Sequence, residues 1–159
     1  MNTADFHTLA EYQTALDQLI ATAHHSLRIH DHDLQAGDFN SKARHAGLHT
    51  FCLAGSARRI EILLDDTAYV QNRCPRLMTL LRDFSHVIEV RQTEADSERS
   101  TCSFALADRS AWLKRFDKDA LPGQLNLDDA ANAALLHQQF DQLWQRAVAS
   151  VSATTLGLG

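Results

Sequence analysis

Residues 58–64 have the sequence RRIEILL, and this stretch decides the fold class. Its apolar residues form a nearly continuous run, which is typical of a strand covered on both faces of a sheet. Shorter apolar stretches predict an earlier strand at residues 26–31, with the sequence SLRIHD, and a later one at residues 87–90. Three such strands separated by helical patterns indicate an α/β fold.

The helical patterns have recognisable ends. The first predicted helix begins near Thr8, which forms a capping box with Glu11, and its apolar residues recur at three- and four-residue steps. The second spans residues 41–54 and is ended by Gly55. A third helical region precedes the last of the three strands, and Pro75 either kinks it or begins a new helix. These β-α-β units predict right-handed crossovers and parallel neighbours at the start of the sheet.

The C-terminal half adds two strands and one long helix. Large and small side chains alternate over residues 102–107, and Trp112 lies in a further short strand. The last helix is capped by Asp128 or Asp129, and its apolar residues keep helical spacing as far as Val151.

We therefore predict a single α/β domain over residues 1–152. Its sheet is expected to be mixed, mostly parallel and flanked by helices. A frayed tail is predicted at residues 153–159, and a charged, solvated loop at residues 93–100.

The composition fits one folded domain and argues against several classes of protein. The 159 residues are 45% hydrophobic and 22% charged, which is enough apolar surface for a core. The 15 basic and 20 acidic residues give a net charge of −5, which argues against nucleic-acid binding and against a polybasic membrane anchor. No apolar run reaches the roughly 18 residues of a membrane span. The N-terminus lacks a signal-peptide pattern, so we expect a cytoplasmic protein.

The sequence lacks the common signatures of cofactor and metal sites. Its three cysteines are far apart and include no C-x-x-C pair, which predicts reduced thiols. No P-loop, G-x-G-x-x-G, H-E-x-x-H or G-x-S-x-G motif occurs. We therefore predict no cofactor.

The order of the elements and several local sequences resemble one half of the phospholipase D superfamily. The matching sequences are the strands at 26–31, 58–65 and 86–91 and a final helix that carries Phe140 and Trp144. The resemblance covers nearly the whole chain and implies a phospholipase D-like domain. Active members of the superfamily need two such halves, so the resemblance also implies a homodimer.

The defining motif of that superfamily, H-x-K-x-x-x-x-D on the fourth strand, is incomplete in this chain. Asp108 matches its aspartate, whereas Ser103 stands at the lysine position and Thr101 at the histidine position. In the superfamily the histidine attacks phosphorus and the lysine binds the phosphate. A threonine without an adjacent base is a poor nucleophile, and a serine supplies no positive charge. The resemblance thus implies a catalytically degenerate domain, and we predict no catalytic residue.

Charged residues near the ends of the predicted strands form a candidate ligand cleft. In an open α/β sheet, ligands bind beyond the carboxyl ends of the strands. This rule and the nearby arginines select Asp31, Asp33, Asp65, Asp66, Arg73, Arg76, Arg91, Asp108 and Arg115. Such a cleft suits a small polar or phosphorylated molecule. The alternative is that the carboxylates cap helices and loops and that the arginines form internal salt bridges.

The sequence HDHD at residues 30–33 is a candidate metal site. His30 and His32 can supply two ligands of a transition metal, and His45 and His49 have i,i+4 spacing on a helix. Successive strand residues point to opposite faces, so His30 and His32 share a side only if the strand extends through both. Solvated or capping histidines are the alternative.

Together these features predict a non-catalytic, phospholipase D-like binding or interaction module in a bacterial cytoplasm. Its partners would be a second copy of the chain and either another protein or a small ligand. One alternative is a phosphoester hydrolase that uses a metal or a histidine outside the incomplete motif. Another is an accessory domain that acts with a partner enzyme.

Overall fold

The computed structural model describes residues 3–55, 57–94, 102–117 and 120–151, and a mixed sheet organises them. The strands are β1 (Thr3–Phe6), β2 (Ser26–Asp31), β3 (Arg59–Leu64), β4 (Ile88–Gln92), β5 (Ser103–Ala107), β6 (Ala111–Arg115), β7 (Gly123–Asn126) and β8 (Val148–Val151). The helices are α1 (Leu9–Thr22), α2 (Lys42–Leu53), α3 (Ala68–Arg73), α4 (Pro75–Asp83) and α5 (Ala130–Arg146).

The sheet has eight strands in the order β1-β7-β6-β5-β2-β3-β4-β8. Its centre, β2-β3-β4, is parallel, with Ile29 opposite Ile62 and Ile62 opposite Val90. This confirms the predicted α/β fold with a mixed sheet. The parallel part is smaller than predicted, because the described strands form two parallel pairings and five antiparallel ones. The β5–β6 and β6–β7 connections are too short for a helical crossover, which favours antiparallel pairing of these strands.

The two faces of the sheet are covered by different helices. On one face, Leu27 and Ile29 of β2 join a core that includes buried residues of α1, α2 and α4. On the other face, Leu63, Phe104 and Leu106 pack with the apolar residues of α5. Burial on both faces explains why the central strands have nearly continuous apolar sequences.

The predicted helix starts agree with the structure. Thr8 and Glu11 form a reciprocal capping box at the start of α1. The side chain of Ser41 accepts from the backbone N–H of Arg44 at the start of α2. Pro75 is the first residue of α4, so it begins a new helix rather than kinking a longer one.

The C-terminal end differs from the prediction. The last helix ends at Arg146 rather than Val151, and Val148–Val151 forms β8, antiparallel to β4. Ala147 has extended backbone angles, so the helix ends there, and the following segment pairs with the edge of β4 that would otherwise be open. Strands β1 and β7 were also not predicted, since each has only four residues. The predicted tail at 153–159 lies outside the described residues.

Truncating the α5 core should strongly destabilise the fold. Phe140 is fully buried, stacks on Trp144 with ring centroids 5.5 Å apart, and meets the edge of Phe104. Phe140→Ala should lower the free energy of unfolding in urea by about 3–5 kcal/mol. Gln145→Ala on the exposed side of the same helix should change it by less than about 0.5 kcal/mol. Equal effects of the two substitutions would contradict the described packing of α5.

Candidate functional site

The candidate site lies where the parallel strands end. Because β5 is antiparallel to β2, it begins at that edge, beside the end of β2, and Phe104 lies opposite His30. Ser103 therefore stands at the carboxyl edge of the parallel strands, whereas Asp108 follows β5 at the opposite edge. Strand β6 runs back and ends at the same edge with Arg115.

A buried ion pair joins two of the strands at this edge. Arg115 Nη2 donates to Asp31 Oδ1 at 2.7 Å, and the two side chains are 4% and 2% exposed. The second oxygen, Asp31 Oδ2, accepts from the backbone N–H of Leu34 at 3.1 Å. Leu34 has a φ of 73°, so the carboxylate holds a left-handed turn after β2.

An aromatic ring of α1 covers the guanidinium of this pair. The guanidinium carbon of Arg115 lies 4.8 Å from the centroid of the Tyr12 ring. Burial, and then the negative charge of Asp31, raises the pKa of the Tyr12 hydroxyl, which therefore stays neutral. The pair is thus held between the sheet, the loop after β2 and the first helix.

Ser103 and Arg115 lie directly opposite one another on β5 and β6. Directly opposed residues project from the same face of a sheet. The positive charge beside Ser103 thus comes from the neighbouring strand. Arg115 Nε is buried and has no hydrogen-bond partner within the described part of the chain.

An open cavity of about 370 Å³ adjoins the ion pair. It brings together three of the predicted ligand residues, Asp31, Asp33 and Arg115, with His32. The rest of its wall consists of Leu9, Gln35, Ala36, Ala120 and Leu121. Sequence patterns did not indicate these wall residues, because they lie at a helix start and in loops whose placement depends on the tertiary fold.

The other carboxylates at this edge have local partners. Asp33 accepts from the backbone N–H of Gln35 at 2.9 Å, and Asp66 accepts from that of Ala68 at 2.8 Å. Asp65 is buried and accepts from the Thr93 hydroxyl at 3.0 Å. These contacts match the capping role that the sequence offers as an alternative to ligand binding.

The remaining arginines of the predicted cleft lie away from the cavity wall. Arg91 projects toward α5, where it donates to the carbonyl oxygen of Trp144 at 2.9 Å, and it pairs with Glu89 of its own strand at 2.8 Å. Arg76 donates to the carbonyl oxygen of Asn40, and Arg73 is exposed at the end of α3. The structure therefore does not bring these three arginines together with Asp31.

Asp108 serves the opposite edge of the sheet. It has a φ of 53°, and its carboxylate accepts from the backbone N–H groups of His24, His25 and Ser26 at 2.7–3.2 Å. Partial burial raises the pKa of this carboxyl, but the three N–H donors together lower it by more, so the pKa lies below its ordinary value. Its inclusion in the predicted cleft was wrong, because β5 runs antiparallel to β2.

The sequence matches the model of the family described as Domain of unknown function (DUF7931) over residues 8–156. The chain belongs to the DUF7931 family. A comparison with curated proteins finds no match for this DUF7931 domain.

Solved structures share the fold of the DUF7931 domain at low sequence identity. It aligns with TrmBL2, an archaeal chromatin protein with a novel mode of DNA binding, at a TM-score of 0.70 and 11% identity. It aligns with Nuc of Salmonella typhimurium, a phospholipase D family member, at a TM-score of 0.67 and 12% identity. It also aligns with the phosphatidylserine synthase of Haemophilus influenzae, at a TM-score of 0.66 and 15% identity. These similarities confirm the predicted phospholipase D-like fold.

The aligned fraction of each chain differs between these matches. The DUF7931 chain is covered to 94% by TrmBL2 and by Nuc and to 97% by the synthase. It spans 98% of Nuc, but only 54% of TrmBL2 and 40% of the synthase. No helix in the described ranges combines the length and apolar character that a membrane span requires.

The histidines of the predicted metal site lie in different surroundings. His30 is buried on the α5 face, where its ring meets Phe104 edge-on and its Nδ1 lies 3.1 Å from the Leu63 carbonyl oxygen. His32 lies beyond the end of β2, with Nδ1 3.5 Å from Asp65 Oδ2. Among the residues that the structure describes, no three His, Cys, Asp or Glu side chains are grouped to hold a metal ion.

The Asp108 carboxylate should stabilise the DUF7931 domain in a pH-dependent way. Since its folded-state pKa is lowered, its stabilisation is present above the unfolded-state pKa and is lost as the pH falls through the folded-state value. At pH 7, Asp108→Asn should lower the free energy of unfolding by about 1.5–3 kcal/mol. The difference should shrink at about pH 3. Urea titrations at both pH values measure it.

Asp83→Asn is the matched control, because Asp83 is an exposed carboxylate at the end of α4. It should change the free energy of unfolding by less than about 0.5 kcal/mol at either pH. A loss from Asp108→Asn that is equally large at both pH values would contradict the role assigned to its charge.

Proposed function

We propose that the DUF7931 domain is a phospholipase D-like binding module that does not hydrolyse phosphodiesters. The observation that supports the proposal most directly is the lack, among the described residues, of an unpaired cation at Ser103, the position that the resemblance matches to the motif's lysine. Ser103 occupies that position and is 2% exposed, and the adjacent guanidinium of Arg115 is paired with Asp31 at 2.7 Å. A cation that is neutralised in this way is poorly suited to stabilise a pentacovalent phosphorus transition state.

The surrounding charges support the same conclusion. A phosphate group in the cavity would meet the carboxylates of Asp31 and Asp33 along with the single guanidinium. Thr101 stands at the position of the nucleophilic histidine and offers a hydroxyl with a high pKa. Binding is therefore the activity that these residues support, and turnover is not.

The proposal includes a cytoplasmic location and excludes nucleic acid as the principal partner. Cys52 and Cys74 are free and buried, and burial raises the pKa of both thiols to about 11, so they remain protonated. Such inert thiols are typical of a reducing compartment. The net charge of −5 disfavours a phosphate backbone as ligand.

We infer that the module associates with a second copy of itself. A groove of about 680 Å³ lies between α5 and the adjacent faces of β6 and β7, and we call it the α5 groove. Phe116 and Leu135 line it and are 50% and 65% exposed. Lys114 and Asp128 also line it, so two copies related by a two-fold axis would pair opposite charges around an apolar centre.

A phosphodiesterase assay tests the absence of turnover. With bis(p-nitrophenyl) phosphate, the release of p-nitrophenol should equal that of a buffer blank, both without metal and with added Zn²⁺ or Mn²⁺. Asp65→Asn and Arg115→Met preparations identify contaminants, whose activity would persist in both. Hydrolysis by the wild type that either substitution abolishes would contradict the proposal and favour the metal- or histidine-dependent hydrolase.

Light scattering coupled to size exclusion tests the self-association. The wild type should have the mass of a dimer, and Leu135→Glu should shift it to a monomer, because a charge is placed in the α5 groove. Leu53→Glu is the control, since Leu53 is exposed on α2 and should leave the dimer intact. A monomeric wild type would contradict the inference and favour an accessory domain that needs another protein.

A further inference from the structure

The cavity beside the ion pair contains a cation with unused hydrogen-bonding capacity. Arg115 lines the cavity, and its Nη2 is occupied by Asp31. Its Nε is buried without a partner within the described ranges of the chain. A buried N–H without an acceptor is unfavourable, so an anionic group that reached this guanidinium would gain a charge-assisted hydrogen bond.

The same cavity contains an acceptor with unused capacity. Asp33 uses Oδ1 to accept from the backbone N–H of Gln35, and no described residue donates to its Oδ2. Both oxygens of Asp31 are engaged, one by Arg115 and one by Leu34. Asp33 is therefore the carboxylate at this cavity that is available to an ammonium group.

The charges that line the cavity favour a ligand that carries both signs. Asp31 and Asp33 are negative and Arg115 is positive, so these three side chains have a formal net charge of −1. A simple anion is repelled by two carboxylates, and a simple cation is repelled by the guanidinium. A zwitterion places each of its charges against the opposite one.

The size and the apolar part of the wall restrict the ligand further. A volume of about 370 Å³ lies near the lower end of the range for small-molecule sites, which suits a molecule of amino-acid size. Leu9, Ala36, Ala120 and Leu121 supply apolar surface, and half of Leu9 is exposed. This surface suits a short aliphatic substituent.

We propose that this cavity binds a small zwitterion, with the anionic group at Arg115 and the ammonium group at Asp33. The inference rests on the proposed binding function and names the class of its ligand. The anionic group is a carboxylate or a phosphate monoester, and the ammonium group lies a few bonds away from it.

Calorimetry and thermal shift with matched probes test this proposal on the full chain. L-leucine combines both charges with an aliphatic group, whereas isovalerate and isoamylamine each keep one charge and the same group. Phosphoethanolamine and inorganic phosphate form the corresponding phosphate comparison. At least one zwitterion should bind at least tenfold more tightly than its single-charge analogues, and the better zwitterion identifies the anionic group.

Two substitutions locate the binding. Asp33→Asn should weaken the zwitterion at least tenfold, because the ammonium group loses its counter-charge. Asp66→Asn is the control, since Asp66 lies at the same edge, accepts from the N–H of Ala68 and does not line the cavity. It should leave the affinity within twofold of the wild type.

Three results would overturn the zwitterion proposal. They are the absence of tenfold selectivity for either zwitterion over its single-charge analogues, no binding of any probe at 10 mM, which is about ten-thousandfold above a micromolar Kd, and an unchanged affinity in Asp33→Asn. None of them alters the absence of phosphodiesterase activity, which the hydrolysis assay measures separately. Hydrolysis together with selective zwitterion binding would instead overturn the non-catalytic proposal alone.

Discussion

The buried ion pair between Asp31 and Arg115 fixes the edge of the sheet on which the proposed binding site depends. It links the end of β2 to the end of β6, and the same carboxylate holds the turn at Leu34. Tyr12 covers the guanidinium from α1. Because both charges are removed from water, the loss of either partner leaves the other uncompensated, at a cost of about 3–5 kcal/mol.

The pair also determines the charge at this edge of the phospholipase D-like fold. Ser103 is buried at this edge, and Arg115 lies directly opposite it on the neighbouring strand. The guanidinium keeps a positive charge at this edge, but Asp31 neutralises it. The cavity therefore combines both signs of charge, which suits selective binding better than phosphoryl transfer.

The sequence predicts the central part of this fold well, because the apolar run of residues 60–64 and the capping box of Thr8 and Glu11 are local features. It fails where a segment fits more than one secondary structure and tertiary contacts decide which one forms. Val148 and Val151 have a spacing that fits a helix, yet the open edge of β4 makes them a strand. To place Asp108, the direction of β5 in the sheet must be known. The alternation of large and small side chains predicts the strand but not its direction. The cavity likewise depends on which loops meet at one edge.

A double-mutant cycle on Asp31 and Arg115 tests the central claim most directly. Urea unfolding of Asp31→Asn, Arg115→Met and the double variant gives the coupling free energy between the two side chains. Each single substitution should lower the free energy of unfolding by about 3–5 kcal/mol, because it leaves the other charge buried and unpaired. The double variant contains no unpaired charge at this site, so its loss should be far smaller than the sum of the two single losses. Effects that add to within about 0.5 kcal/mol would show that the two side chains act independently and would contradict this account.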